Sequence, residues 1–381
     1  MNDHVVVQKA STYAWIVWGI GALFFYFAYI LRVSPETISM LVVGDLPLPE
    51  SFNNTQEFQE FILSMFTTAF LVPYVLMQLP VGLLIDRFGA RNIVTLGLVL
   101  VGISQFVFVT SGSLNWMIAS RALLGFAASF AFISAIRLAT MWFPPHQLGF
   151  LAGLTQAMGM VGASIQRPLF EDVLIGRMGL TWSGVLEGFT LFFMVMSLIA
   201  WLLIRDVKSS SSEQSNQSKA SVWHSMMTTF KQPQTWMVGI YAGMLYVPLI
   251  LLGEVFGKTF FTATQSWGDL ADFGAKTAIA CIFWGFTAGG FVVGAWSDRL
   301  KKRRPFLVYG ALVSLVLVSI VVYLDLPVML ELGMTTIMGM SLGSLCVAYA
   351  MSGEINPDHA TGISIGLVNG ISVFFGTLLV P

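Results

Sequence analysis

Charge is what this sequence has least of. Asp, Glu, Lys and Arg make up 10% of its 381 residues, against about 25% in a soluble domain. The formal net charge is −1, and no basic patch large enough to reverse that balance is present, which argues against a nucleic-acid partner. Cysteine is nearly absent. Cys281 and Cys346 both fall inside apolar runs and read as packing residues rather than a disulfide or metal pair. There is no Gly-Lys-Ser/Thr phosphate loop, so ATP is not the direct energy source. Metal-ligand clusters, nucleophile elbows and triad spacings are missing too, so neither an enzyme nor a cofactor is expected. Apolar residues dominate instead, at 56% hydrophobic with a mean hydropathy of +0.78. A soluble chain of this length could not hide that surface, so the sequence reads as a polytopic membrane protein.

Apolar runs long enough to span lie at roughly 14–40, 60–85, 92–111, 115–142, 148–174 and 183–204. After a polar break they resume at roughly 235–257, 273–296, 306–324, 328–351 and 361–381. The first run follows a single Lys9 and has no small-residue cleavage site, so it reads as an uncleaved span. The break contains Ser209 to Ser218, a flexible polar linker. Apolar positions at helical spacing follow it at Val222, Trp223, Met226, Met227 and Phe230, which suits a segment lying on the membrane surface. The division is therefore 1–204, linker 205–234, and 235–381. With the N-terminus inside, twelve Lys and Arg residues fall in cytoplasmic segments and only Arg177, Lys258 and Lys276 in outer loops. That asymmetry sets the orientation.

One stretch organises the runs. Gly82-Leu-Leu-Ile-Asp86-Arg87-Phe-Gly89-Ala-Arg91 separates the second run from the third, and it returns as Gly294-Ala-Trp-Ser-Asp298-Arg299-Leu-Lys301-Lys-Arg303. Gly, Asp, Arg and the downstream Arg recur at a constant offset of 212, about half the chain, which implies two similar halves. This motif, its weaker second copy and Arg121-Ala-Leu-Leu-Gly125 in the fourth run resemble the signatures of the major facilitator superfamily. Ala90 and Lys301 depart from the usual motif residues.

The resemblance implies an all-α integral membrane fold of two pseudo-symmetric helical bundles, six helices each. Eleven spans are visible of an expected twelve, and the chain end is expected to be a truncated or mis-called reading frame. It also implies a gate, in which Asp86 bonds the fourth helix and faces the start of the eleventh at Thr361-Gly362. Arg137 is placed to meet Asp86. Gly82, Asp86, Arg87, Gly89, Arg91, Arg137, Gly294, Asp298 and Arg299 form the expected gating set. Runs two with eleven and five with eight should join the halves. Small residues at four-residue spacing fit that: Gly362, Gly366 and Gly370, Gly149 with Gly153, and Gly290 with Gly294.

Charges inside runs need a partner or a watery cavity, since an arginine at bilayer depth costs at least ~2.5–3.5 kcal/mol. Phe25, Tyr29, Arg32 and Glu36 share one helical face at i, i+4, i+7 and i+11. A local Arg32–Glu36 pair and a substrate contact at Arg32 are equally open readings. Arg121 and Arg137 lie ~160° apart around their helix and cannot both face one cavity. Arg121 belongs to the central cavity or proton coupling, or else holds run four against run one. Glu254, after Tyr246 and Pro248, is the first candidate proton carrier and Glu36 the second, with ordinary interfacial carboxylates the commoner alternative. Gln78 with Tyr74 in run two, and Thr155 with Gln156 in run five, either line the cavity or, more commonly, bond neighbouring helices.

The expected substrate contacts are thus Tyr29, Arg32, Arg121, Gln156 and Tyr246. The expected function is alternating-access, proton-coupled uptake of a small anionic or zwitterionic metabolite by a monomer in the inner (plasma) membrane. Its partners would be the substrate, protons and lipid. The alternatives are an efflux antiporter, disfavoured because Gly159-Met-Val-Gly162-Ala-Ser lacks the Gly-Pro pair usual late in helix five of family antiporters, and a transport-dead sensor or scaffold.

Overall fold

The computed structural model describes residues 11–143, 148–205, 226–300, 302–356 and 361–378. Among them there is no strand. The helices are α1 Thr12–Arg32, α2 Pro35–Val42, α3 Thr55–Phe88, α4 Ala90–Thr110, α5 Leu114–Trp142, α6 Leu148–Arg167 and α7 Trp182–Leu203. After the polar break come α8 Pro233–Pro248, α9 Gly257–Thr264, α10 Ala271–Leu300, α11 Arg304–Tyr323, α12 Val328–Leu342, α13 Leu345–Glu354 and α14 Thr361–Leu378. Nine stretches of the described residues are helical, long and apolar enough to cross a membrane. Most of the linker lies outside the described residues.

Local chemistry sets the ends. Ser11, Asn54 and Thr181 cap α1, α3 and α7 by accepting from the amides of Ala14, Glu57 and Gly184, which satisfies otherwise orphaned N–H groups. Gly89 ends α3 at φ 82°, a conformation that disfavours any Cβ. α4 starts at the next residue, so this glycine is what lets the motif turn be so tight.

Prolines explain where the sequence runs and the helices differ. Run one is two helices, because Pro35 cannot donate to the Leu31 carbonyl four residues back. Runs five and seven end in π-helical segments, Pro168–Arg177 and Leu249–Val255, each beginning at or just after a proline. Such wide turns arise where the i→i−4 ladder is interrupted. Run ten is broken at Gly343 and Ser344, between α12 and α13.

α1 packs on α5 and α6, α3 on α5, and α4 on α5 and α7. In the second half α8 packs on α14, and α12 on α10 and α11. The pairs joining the halves are α3 with α14 and α6 with α10, the second-with-eleventh and fifth-with-eighth runs. Leu191, Leu198 and Leu202 on α7, and Leu312, Leu315 and Val316 on α11, are exposed, as a lipid-facing wall requires.

Glycine packing departs from the expectation. A Cβ at Gly366 or Gly370 would meet Gln78 no closer than 3.6 Å, one at Gly153 would meet only Phe291 at 3.7 Å, and one at Gly294 would meet nothing within 4 Å. The surroundings of Gly82, Gly149 and Gly362 are not among those described. The truly tight contacts are inside the halves. A Cβ at Gly285 would sit 2.2 Å from the Thr336 carbonyl oxygen, at Gly289 2.0 Å from that of Met340, and at Gly125 2.0 Å from that of Phe70. Close backbone approach thus welds each half, while the seam between them keeps ordinary clearance.

This contrast is testable by thermal unfolding in detergent. Gly289→Ala should lower stability by about 1–3 kcal/mol through overpacking. Gly370→Ala should be neutral or stabilise by up to about 1 kcal/mol, since it gains helix propensity without a clash. Equal destabilisation by both would overturn the distinction.

Candidate functional site

The break in α1 organises the polar residues around it. The Leu31 carbonyl that Pro35 leaves without its helical donor accepts from Ser34 Oγ (2.8 Å) and from Arg121 Nη1 on α5 (3.1 Å). Arg121 also lies 3.5 Å from Ser34 Oγ and 5.5 Å from the centre of the Phe70 ring. It is 2% exposed, with Nε and Nη2 unpaired. Of the roles expected for Arg121, holding the fourth run against the first matches this geometry.

Arg32 and Glu36 flank the break and point to different partners. Of the two open readings of Arg32, the local Arg32–Glu36 pair is not formed, because the interruption at Val33 and Ser34 ends the i, i+4 face. Glu36, at the start of α2, pairs instead with Arg167 at the end of α6. Arg32 reaches across to the second half. Its Nε donates to Glu254 Oε2 (3.0 Å), Nη2 lies 2.9 Å from the same oxygen, and Nη2 donates to the Tyr246 hydroxyl (3.2 Å). Tyr29 donates to Glu254 Oε1 (2.8 Å) and lies 3.1 Å from the Tyr246 hydroxyl.

The π-helical segment makes this possible. Tyr246 and Glu254, eight residues apart, would lie ~80° apart on an unbroken α-helix. The wider turn after Pro248 lets the Tyr246 hydroxyl donate to Glu254 Oε1 (3.3 Å).

The guanidinium of Arg32 is walled by rings, with Cζ 5.0 Å from the centre of Tyr29, 5.2 Å from Tyr74 and 6.0 Å from Tyr246. Arg32 and Glu254 are 6% and 5% exposed. The adjoining cavity, lined by Pro35, Thr67, Phe70 and Leu71, holds about 10 Å³, room for one water at most. The two halves are therefore closed on the pair. A buried ion pair adds little net stability, but removing one partner leaves an uncompensated charge and costs about 3–5 kcal/mol.

A second polar group joins the halves at the α2 end of the bundle, opposite the Gly89 turn. Lys276 on α10 pairs with Glu171 (2.8 Å) and Asp172 (3.6 Å) of the π-helical segment after α6, and with Asp272 (3.1 Å). Lys258 on α9 pairs with Asp272 (3.2 Å) and approaches Glu171 (3.9 Å), which also accepts from Thr37 (3.4 Å). In the sequence these lysines stand only as outer-loop charges. A third contact links Gln78 on α3 with Asn369 on α14. The signal for Asn369 was present, as an amide inside an apolar run needs a partner.

Gln156 is half-buried on α6, outside this hydrogen-bond network. The side chains of Asp86, Arg87 and Asp298 lie outside the described residues, so the expected contact between Asp86 and Arg137 does too. Arg137 and Arg299 are exposed. Arg91 stacks on Trp201 at 4.0 Å. Its counterpart in the second copy, Arg303, pairs with Glu354 at the end of α13 (2.6 Å) and donates to Ser297 Oγ (2.9 Å). The repeated motif thus ties each half together through different partners.

Residues 18–381 match the family described as Major Facilitator Superfamily. The uncharacterized transporter YybO of Bacillus subtilis is 22% identical over 361 residues, 87% of this chain and 79% of that protein. The probable sulfoacetate transporter SauU of Cupriavidus necator is 27% identical over 154 residues, 40% of this chain but only 34% of its own length. Among solved structures, a D-xylose-proton symporter superposes with a TM-score of 0.69 at 15% identity, covering 96% of this chain and 88% of that one.

Arg121 gives the test of the helix break. Arg121→Ala should cost about 1–3 kcal/mol by leaving a buried carbonyl short of a donor. Adding Pro35→Ala restores an N–H to the Leu31 carbonyl, so the double variant should be more stable than additivity predicts. Strict additivity in thermal unfolding would show that Arg121 does not compensate for the proline.

Proposed function

This chain belongs to the Major Facilitator Superfamily, and on that premise we propose that it takes up a small organic anion together with a proton. It is a multi-pass membrane transporter, and the observation that carries the finer reading is the Arg32–Glu254 pair shared between the halves. Arg32 stays charged at any physiological pH and offers a planar fork that fits a carboxylate or sulfonate. In the closed protein Glu254 occupies that fork. An anionic substrate can take Glu254's place only when the carboxylate is removed or neutralised, because two anions at one buried guanidinium repel. Protonation of Glu254 therefore favours anion binding, and by linkage anion binding favours protonation. Ligands that bind cooperatively travel together, which supports symport over antiport. The sulfoacetate transporter among the relatives is named for an organic anion and agrees with this class.

Tyr29 and Tyr246 complete the substrate site in this reading, while Glu36, already paired with Arg167, serves the structure of the α2 break. Arg121 supports the site from behind. The Gly89 end faces the cytoplasm, as the Lys and Arg asymmetry requires. The Lys258–Glu171–Lys276 cluster then holds the outer side shut. Opening to the outside breaks those pairs and the Arg32–Glu254 pair together, while the loosely packed α3–α14 and α6–α10 contacts move. The 1–204 and 235–381 units act as the two moving bodies around the 205–234 linker.

Proteoliposomes with an imposed pH gradient test this. Arg32→Lys should raise the KM for a transported organic anion at least about tenfold, because an ammonium lacks the fork. Glu254→Gln should keep counterflow of labelled anion but lose accumulation driven by the gradient. Concentrative uptake surviving in Glu254→Gln would rule out Glu254 as proton carrier. An unchanged KM in Arg32→Lys would rule out the anion site.

A further inference from the structure

Gln78, Asn369 and Tyr349 form a polar seam that the ion pair does not use. Asn369 Nδ2 donates to Gln78 Oε1 (3.0 Å), and Asn369 Oδ1 accepts from the Tyr349 hydroxyl (3.0 Å). Gln78 Nε2 donates to the Tyr74 carbonyl one turn back (3.3 Å). Gln78 is 2% exposed. The three side chains come from α3, α13 and α14, so the seam crosses between the halves. Its position relative to the ion pair follows from α3. The Tyr74 ring faces the Arg32 guanidinium, and Gln78 lies four residues further along α3, a rise of ~6 Å. Gly370 faces Gln78 and leaves ordinary clearance there, so parting α3 from α14 would uncover the seam from the same interface that holds Arg32.

The seam is uncharged, and each of its groups both donates and accepts: two amides and a phenol. That pattern is matched by hydroxyl groups, which also do both. It offers nothing to a second acid group and penalises an apolar tail, which would leave the amides unpaired when the halves separate. We infer that Gln78, Asn369 and Tyr349 form the second half of the substrate site and read the hydroxyls of a short hydroxylated organic acid. The inference rests on the reading of Arg32 as the anion site. The acid group sits at Arg32 and the hydroxyls lie about one helical turn further along α3, which suits a short carbon chain.

The test uses two six-carbon acids that differ only in hydroxylation, D-gluconate and hexanoate, binding to the purified full chain by calorimetry. The wild type should prefer gluconate at least about tenfold, as sites built to bond hydroxyls do. Asn369→Ala should bring the two affinities within about threefold of each other, with hexanoate binding unchanged. Tyr349→Phe removes one hydroxyl without changing the packing, and should reduce the preference in the same direction. No preference in the wild type, an unchanged ratio in both variants, or an equal loss for both acids would overturn the inference and leave the seam as a contact between halves. Arg32→Gln should abolish binding of both acids. If both acids still bind in that variant, the anion reading itself fails, an outcome separate from any change in the ratio.

Discussion

The structure depends on a single buried charge pair drawn from two halves of the chain. Arg32 and Glu254 are each costly inside a membrane protein, and each is tolerable only because the other is there. The pair is also shared. Separating the halves strips both charges of their partner unless something else supplies the missing charge or proton. An organic anion at Arg32 and a proton on Glu254 supply both at once. A static feature thereby becomes a condition on movement: in the proposed cycle the anion and the proton replace the pair's own partners once the halves have parted.

Three prolines make that pair and its surroundings possible. Pro35 ends α1, so Arg32 and Glu36 face different partners, and it frees the Leu31 carbonyl that Arg121 then occupies. Pro248 leads into the π-helical segment that brings Glu254 under Tyr246. Pro168 begins the segment whose Glu171 and Asp172 meet Lys276. In each case loss of one backbone hydrogen bond turns a regular span into a place where a charged side chain can be aimed.

The two kinds of helix contact serve different ends. In lipid there is no hydrophobic drive between helices, so close packing and polar bonds carry association. Within the halves, Gly125, Gly285 and Gly289 let backbones touch. Between the halves, glycines leave room and polar pairs do the joining. Polar pairs can be exchanged for ligand contacts, whereas interlocked backbones cannot be parted without strain.

The sequence by itself determined the class of the protein. The apolar runs, the 212-residue repeat of Gly82, Asp86, Arg87 and Arg91, and the scarcity of charge fixed a helical membrane protein of two similar halves. These are one-dimensional signals, because a bilayer forces each span to satisfy its own backbone. Tyr29, Arg32, Tyr246 and Glu254 were also legible as candidates, since a charge inside an apolar run stands out. Their pairing was not. Helical periodicity pointed Arg32 to Glu36, a neighbour four residues away, and could not foresee a break at Val33 and Ser34. Nor could it foresee a partner 222 residues on. Asn369 with Gln78 and Glu171 with Lys276 were hidden for the same reason. Which charges meet is decided by the packing of separate helices, and only the tertiary structure contains it.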